Sequence, residues 1–397
     1  MNFFRQFARR PQRMWVRRFN FQVHLWVGII LALYFIVIGI TGSILVFRAE
    51  LEALAGLEPW HHLRVQQPVA GLTTVIANVK AAYPRARVIS VLTPTEADPT
   101  FIATVQGRGE IKVAADPKTG AVLGTFPKDK SWIGIIQRLH VNLFLGSLGR
   151  KLNGVAAGFL LLLNLTGLVI WWPGVKLWTR ALKIDFRRRW RRINWDLHNA
   201  VGFWTLGIVT IWAVSGIYFA WPRQTFTFVN QLWPIVTARP PAVSVPAGDG
   251  SADPDLRVMI ARAYAADPGT RLKGIAFPFN RRAPLLIFMS RGNDVGYEYA
   301  DTLYFDPSDG RLLKIWRYGM NESLGDWVIW LQVPLHFGTY WGLWVKILWA
   351  LLGVALPLLT VTGAIMYWNR ALGKRWGQWR TVSAQSDRAV DQRVAVP

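Results

Sequence analysis

Hydrophobic positions in this chain gather into four long runs, at 23–47, 152–172, 201–221 and 347–368. A helix that spans a bilayer needs about 20 predominantly apolar residues, and each run is bounded by the Trp, Tyr or basic residues that settle at headgroups. Between the first and second runs, and again between the third and fourth, the pattern shortens. Residues 72–83 predict a helix, and strand-like residues 111–113 and 122–123 flank Asp116, Pro117, Lys118, Thr119 and Gly120. Residues 256–266 predict a second helix, and Asp306, Pro307, Ser308, Asp309 and Gly310 lie between Tyr304 and Leu313. Asp-Pro opening a turn and Gly closing it is a hairpin signal, because Pro presets one dihedral and Gly tolerates the left-handed one. Each stretch therefore predicts a small α+β domain, and residues 239–255, rich in Pro, Gly and Ser, predict a loop leading into the second.

The expected fold is an integral membrane α-helical protein, with four transmembrane helices in a two-fold internal repeat and two small extracytoplasmic α+β domains. The expected boundaries are a basic cytoplasmic N-terminus at 1–22, a first helix at 23–47 and a first outer domain at 48–138. A pre-membrane segment and second helix follow at 139–172, then a basic cytoplasmic loop at 173–195 and a third helix at 196–221. The second outer domain takes 222–330, the last pre-membrane segment and helix 331–368, and the cytoplasmic tail 369–397.

The repeat is visible in register. Arg17, Arg18, Asn20, His24, Gly28, Thr41 and Gly42 correspond to Arg191, Arg192, Asn194, His198, Gly202, Ser215 and Gly216 at a constant offset of 174. Leu139, His140, Arg150, Thr166, Gly167 and Trp172 correspond to Leu335, His336, Lys346, Thr362, Gly363 and Trp368 at an offset of 196. The self-similarity predicts two copies of one helix, domain, helix unit.

Charge supplies the orientation. The formal net charge is +23 although 52% of the 397 residues are hydrophobic. The first 22 residues hold six arginines and no acid, 173–195 holds eight Lys/Arg against Asp185, and 369–397 holds six Lys/Arg against Asp387 and Asp391. By the positive-inside rule these segments are cytoplasmic and both intervening stretches are outside. Because every basic run abuts a spanning segment, the pattern argues against nucleic acid as a partner and for membrane lipid. The first run is too long for a cleaved signal peptide and is expected to stay as an anchor. The absence of cysteine excludes disulfides, iron–sulfur clusters, thiolate zinc sites and covalent haem attachment.

Each expected helix carries one histidine: His24 and His198 toward the cytoplasmic ends, His140 and His336 toward the outer ends. Two-fold symmetry brings each like pair face to face, and opposed imidazoles beside Gly28, Gly202, Gly146, Gly149, Gly338 and Gly342 suit bis-histidine ligation of two noncovalent haems. Another metal, a proton pathway and interfacial structure are the competing readings. Zinc is disfavoured, since two imidazoles leave half a tetrahedral shell unfilled. Arg150, Lys151 and Lys346, or Arg17, Arg18, Arg191 and Arg192, are candidates for pairing with haem propionates, against plain snorkelling to the interface. From His140 to Trp172 a straight helix would run roughly 48 Å, against about 30 Å of hydrocarbon. Either the outer haem stands at the surface, or the helix bends near Gly146 and Gly149, and near Gly338 and Gly342 in the repeat. His61 and His62, beside Trp60, read as a surface pair or as alternative ligands.

The order helix, outer domain, helix, together with the Asp-Pro hairpins, the early His24 and His198 and the Thr-Gly or Ser-Gly pairs, resembles the PepSY-associated transmembrane family over residues 17–370. That resemblance implies PepSY-like outer domains. Its members include iron-regulated inner-membrane proteins, among them siderophore reductases with two haems, which implies haem b as cofactor, a ferric siderophore as partner and release of ferrous iron. PepSY-like domains also occur in proteins that bind or restrain peptidases, so a non-redox binding module, a peptidase regulator or transport accessory, is the alternative. No Gly-x-Gly-x-x-Gly stretch follows a predicted strand, so the electron donor is expected to be separate, a membrane quinol or a cytoplasmic flavoprotein.

Overall fold

In the computed structural model the residues described are 9, 11, 14–55, 60, 70–95, 99–107, 110–125, 131–243, 255–280, 282–291, 300–338 and 342–372. The helices in chain order are α1 (Trp15–Ile30), α2 (Ala32–Leu45), α3 (Arg48–Leu54), α4 (Leu72–Ala82), α5 (Trp132–Asn142), α6 (Gly146–Trp171), α7 (Trp190–Ala220), α8 (Pro222–Leu232), α9 (Leu256–Ala266), α10 (Leu324–Phe337), α11 (Leu343–Gly353) and α12 (Ala355–Tyr367). The strands are β1 (Arg87–Leu92), β2 (Phe101–Gln106), β3 (Glu110–Ala115), β4 (Val122–Thr125), β5 (Arg271–Ala276), β6 (Leu285–Ser290), β7 (Asp301–Phe305) and β8 (Leu312–Trp316). They sort into a helical unit from 1–47, 136–225 and 332–397, and a second unit from 48–135 and 226–331.

In the helical unit, α6, α7 and the run Leu343–Arg370 are each long and apolar enough to cross a membrane, and α1 with α2 passes the same test as a pair bent by 66°. The third helix begins at Trp190, ahead of the expected boundary at 196; within it Asp196 is buried and pairs with Arg192 at 3.0 Å. The segments that lead from His140 and His336 into their spans are broken. Leu143 (φ 52°), Phe144 (φ 61°) and Gly146 (φ 58°) turn the chain between α5 and α6, while Gly338 (φ 67°) and Gly342 (φ 76°) lie between α10 and α11. Of the two geometries the length allowed, the structure adopts the bend.

The second unit contains one eight-stranded antiparallel sheet in the order β4-β3-β2-β1-β5-β6-β7-β8. The two stretches expected as separate α+β domains are thus halves of a single sheet, joined where Ser90, Val91 and Leu92 of β1 pair with Ala276, Ile275 and Gly274 of β5. Val75 and Val79 of α4 and Met259 and Ala263 of α9 share one core with Val91, Val105, Ile275, Ile287 and Leu303. Pairing the two inner edge strands satisfies backbone groups that two separate domains would leave open. Both predicted hairpin turns form alike. The Asp116 carboxylate accepts from the backbone N–H of Lys118 and Thr119, each at 2.8 Å, and Asp306 accepts from Ser308 at 2.9 Å. Gly120 (φ 71°) and Gly310 (φ 66°) close the turns.

One carboxylate ties an irregular strap to the start of α10. Fully buried Asp326 accepts from the backbone N–H of Val236 (3.0 Å), Thr237 (2.9 Å) and Ala238 (3.0 Å), and from the Ser323 hydroxyl (2.8 Å). Burial opposes its charge, but the N–H groups of Ala238 and Thr237 and the Ser323 hydroxyl outweigh it and hold the carboxyl well below the usual carboxylate range. A depressed pKa stabilises the fold fully above the unfolded value, about 4, and the contribution fades as the pH falls below it. Asp326→Ala should destabilise the protein by roughly 3 kcal/mol at neutral pH, with the difference from wild type shrinking in acid; denaturant unfolding in detergent at both pH values checks this.

Candidate functional site

The helical unit brings the four histidines together as two facing pairs. The His24 and His198 rings, from α1 and α7, have centroids 6.4 Å apart and planes crossed at 84°. The His140 and His336 rings, from the last turns of α5 and α10, lie 6.5 Å apart and cross at 61°. From His198 to Ser215, which contacts His336, the unbroken α7 runs about 25 Å, so the pairs sit nearly a hydrocarbon thickness apart.

Each imidazole is gripped at Nδ1 by a hydroxyl on a neighbouring helix. Thr166 Oγ1 stands 3.1 Å from His24 Nδ1, Thr362 Oγ1 2.9 Å from His198, Thr41 Oγ1 3.0 Å from His140, and Ser215 Oγ 2.7 Å from His336. Every one of these hydroxyls donates to a backbone carbonyl four residues back: Thr166 to Leu162 (2.8 Å), Thr362 to Leu358 (2.7 Å), Thr41 to Val37 (2.7 Å) and Ser215 to Ile211 (2.8 Å). With its proton committed, the oxygen accepts, so Nδ1 carries the ring proton and Nε2 keeps a free lone pair. His24 carries independent support, since the Leu163 carbonyl 3.2 Å from its Nδ1 can only accept. The glycine after each threonine makes room for the ring. A Cβ on Gly42, Gly167 or Gly363 would come within 3.0 Å, 3.2 Å and 3.3 Å of Cε1 of His140, His24 and His198.

A cavity of about 470 Å³ opens between His24 and His198, walled by Phe21, Leu163, Phe203, Leu206 and Leu359, with Gly28 and Gly202 lining it. That volume is in the range of small-molecule and cofactor sites. Arg191 and Arg370 also line it, as does Trp171, whose buried indole N–H has no hydrogen-bond partner. These residues fit haem. Two imidazoles on one metal ion, about 2 Å from each coordinating nitrogen, hold their centroids about 6 Å apart. Among the described residues no cluster of three or more His, Cys, Asp or Glu is placed to hold a metal ion. The apolar walls suit a macrocycle, and the two arginines and the indole N–H suit its carboxylates.

Of the basic residues singled out in the sequence, Arg191 lines this cavity. Arg17 donates to the Trp172 carbonyl (3.4 Å), Arg192 pairs with Asp196, and Arg18, Arg150 and Lys151 are exposed. Lys346 lies over the Phe47 ring at 5.4 Å. Arg370 was not anticipated. It is stacked on Phe21 at 4.9 Å, and its only sequence signal was its place just past the last apolar run. Gly28 and Gly202 line the cavity as expected; Gly146, Gly338 and Gly342 serve the chain breaks, and Gly149 packs against the Asn142 backbone. His61 and His62 lie outside the described residues.

An apolar helical unit with paired histidines, and an antiparallel sheet unit inserted twice between its helices, define a class of membrane protein. The chain belongs to the PepSY-associated TM region family, whose sequence profile matches residues 21–370. No curated protein sequence matches it.

Proposed function

We propose that the protein is a haem-containing inner-membrane reductase that passes electrons across the membrane to periplasmic ferric siderophore and releases ferrous iron. In this reading four spans form a two-fold repeat, both termini are cytoplasmic and the sheet unit is extracytoplasmic. His24 and His198 hold one haem b and His140 and His336 the other, both noncovalently. The observation that carries the proposal is the pair of 6.4 Å and 6.5 Å imidazole separations, with all four Nδ1 atoms committed to hydroxyls.

When bound, haem supplies a one-electron carrier at each pair. The hydroxyls fix ring orientation and tautomer, the apolar walls exclude water, and Arg191 and Arg370 neutralise carboxylates at the inner site. Arg150 and Lys346 are the candidates for the same task at the outer site. With both imidazoles of a pair holding haem, substrate would find no coordinating position there, so the ferric siderophore would take one electron without coordinating, and its iron would depart as the more weakly held ferrous ion. The electron originates from a membrane quinol or a cytoplasmic flavoprotein. Trp327 and Trp330, packed edge to face at 5.4 Å, share α10 with His336 and, with Trp60, are the candidates to carry the electron onward.

The test is to reduce the purified protein anaerobically with dithionite, remove the excess, and add ferric siderophore with a ferrous-specific chelator. Haem reoxidation is expected to accompany stoichiometric ferrous capture, and His140→Ala should be much slower than wild type. Haems that stay reduced with every ferric chelate, yet reoxidise with another acceptor, would contradict the siderophore assignment.

A further inference from the structure

The outer histidines sit where a helix is least able to hold a side chain still. His140 and His336 occupy the last turns of α5 and α10, where carbonyls lack intrahelical donors and ends fray. After His140 the chain turns through two non-glycine residues in the left-handed region, Leu143 and Phe144. Such residues cost on the order of 1–2 kcal/mol each and persist only where the surroundings hold them.

The following span holds both ends. Asn153 Nδ2 on α6 donates to the carbonyls of His140 (2.7 Å) and Val141 (2.9 Å), and its Oδ1 accepts from the Tyr34 hydroxyl (3.1 Å). At an offset of 196, the position after the other break is Trp349 on α11, whose Nε1 donates to the carbonyl of Leu335 (2.6 Å), the residue before His336. Different side chains at one repeat position do the same work. Close packing supports each: a Cβ on Gly338 would strike the Trp349 ring at 2.4 Å, and one on Gly149 would strike the Asn142 carbonyl at 1.7 Å.

Resting on the haem reading above, we infer that Asn153 and Trp349 are positioning residues for the outer haem, latching the backbone of each ligating turn to its span while Thr41 and Ser215 fix the rings. The inner pair needs no such latch, because His24 and His198 lie within α1 and α7, where intrahelical bonds hold the backbone. A defect in it should therefore be felt at one haem.

Asn153→Leu and Trp349→Phe remove the donors and keep bulk. Each is expected to weaken outer-haem affinity at least about tenfold, as loss of an outer-shell partner does, and to change that haem's low-spin electron paramagnetic resonance signal. The inner haem should keep its occupancy, spectrum and midpoint potential, which also reports that the variant has folded. Tyr34→Phe, which deletes one hydroxyl and keeps the ring, should give a smaller change at the outer haem alone. An unaltered outer signal in both donor variants, or equal loss of both haems in Tyr34→Phe, would overturn the latch. A wild-type protein without two haems would instead overturn the reading on which it rests.

Discussion

His24→Ala and His198→Ala are each expected to abolish the same one of two haems and leave the other spectrally intact, with His140→Ala and His336→Ala behaving as the second set. The grouping follows from the two facing pairs, at 6.4 Å and 6.5 Å. Loss of an axial ligand should exceed the 10–100-fold cost typical of a supporting residue, so the affected haem should be missing from purified protein. Difference spectra and pyridine haemochrome quantitation read this directly. A pattern that grouped His24 with His140 would contradict the pairing.

Replacing the hydroxyl residues should produce a less obvious grouping. Thr166→Val and Thr362→Val keep shape but remove the acceptor from His24 and His198, so both should weaken the inner haem by about 10–100-fold, while Thr166→Ser should retain most of the affinity. Thr41→Val belongs with His140→Ala, although Thr41 shares the first apolar run with His24, because its hydroxyl holds His140. Ser215→Ala likewise belongs with His336→Ala. Haem titration of each purified variant distinguishes this crossed pattern from one in which each variant affects the haem of its own helix.

The crossed contacts mark the boundary of what the chain shows without its fold. Equal offsets placed His24 opposite His198 and His140 opposite His336, because symmetry is a statement about register. The Thr-Gly and Ser-Gly pairs were legible as repeat markers, yet their contacts join residues 99 to 164 positions apart, beyond any local pattern. Glycines were ambiguous for a similar reason. Gly28, lining a cavity, and Gly338, turning a chain, leave the same letter, and only the backbone angle separates them. Both hairpin turns were legible because Asp, Pro and Gly act within five residues. The pairing of β1 with β5 was not, since edge strands carry no local sign of what they will meet. The first turns of α7 were not legible because the helix was bounded at 196 from its apolar run, whereas α7 starts at Trp190, in the basic stretch before it.

The most direct test of the central claim is the haem content and ligation state of the intact protein, purified in detergent and measured by haemochrome assay with low-temperature electron paramagnetic resonance. Two noncovalent b-type haems per chain, both low-spin with bis-histidine signatures, are the predicted result; a folded preparation without haem would contradict it and favour a non-redox binding module.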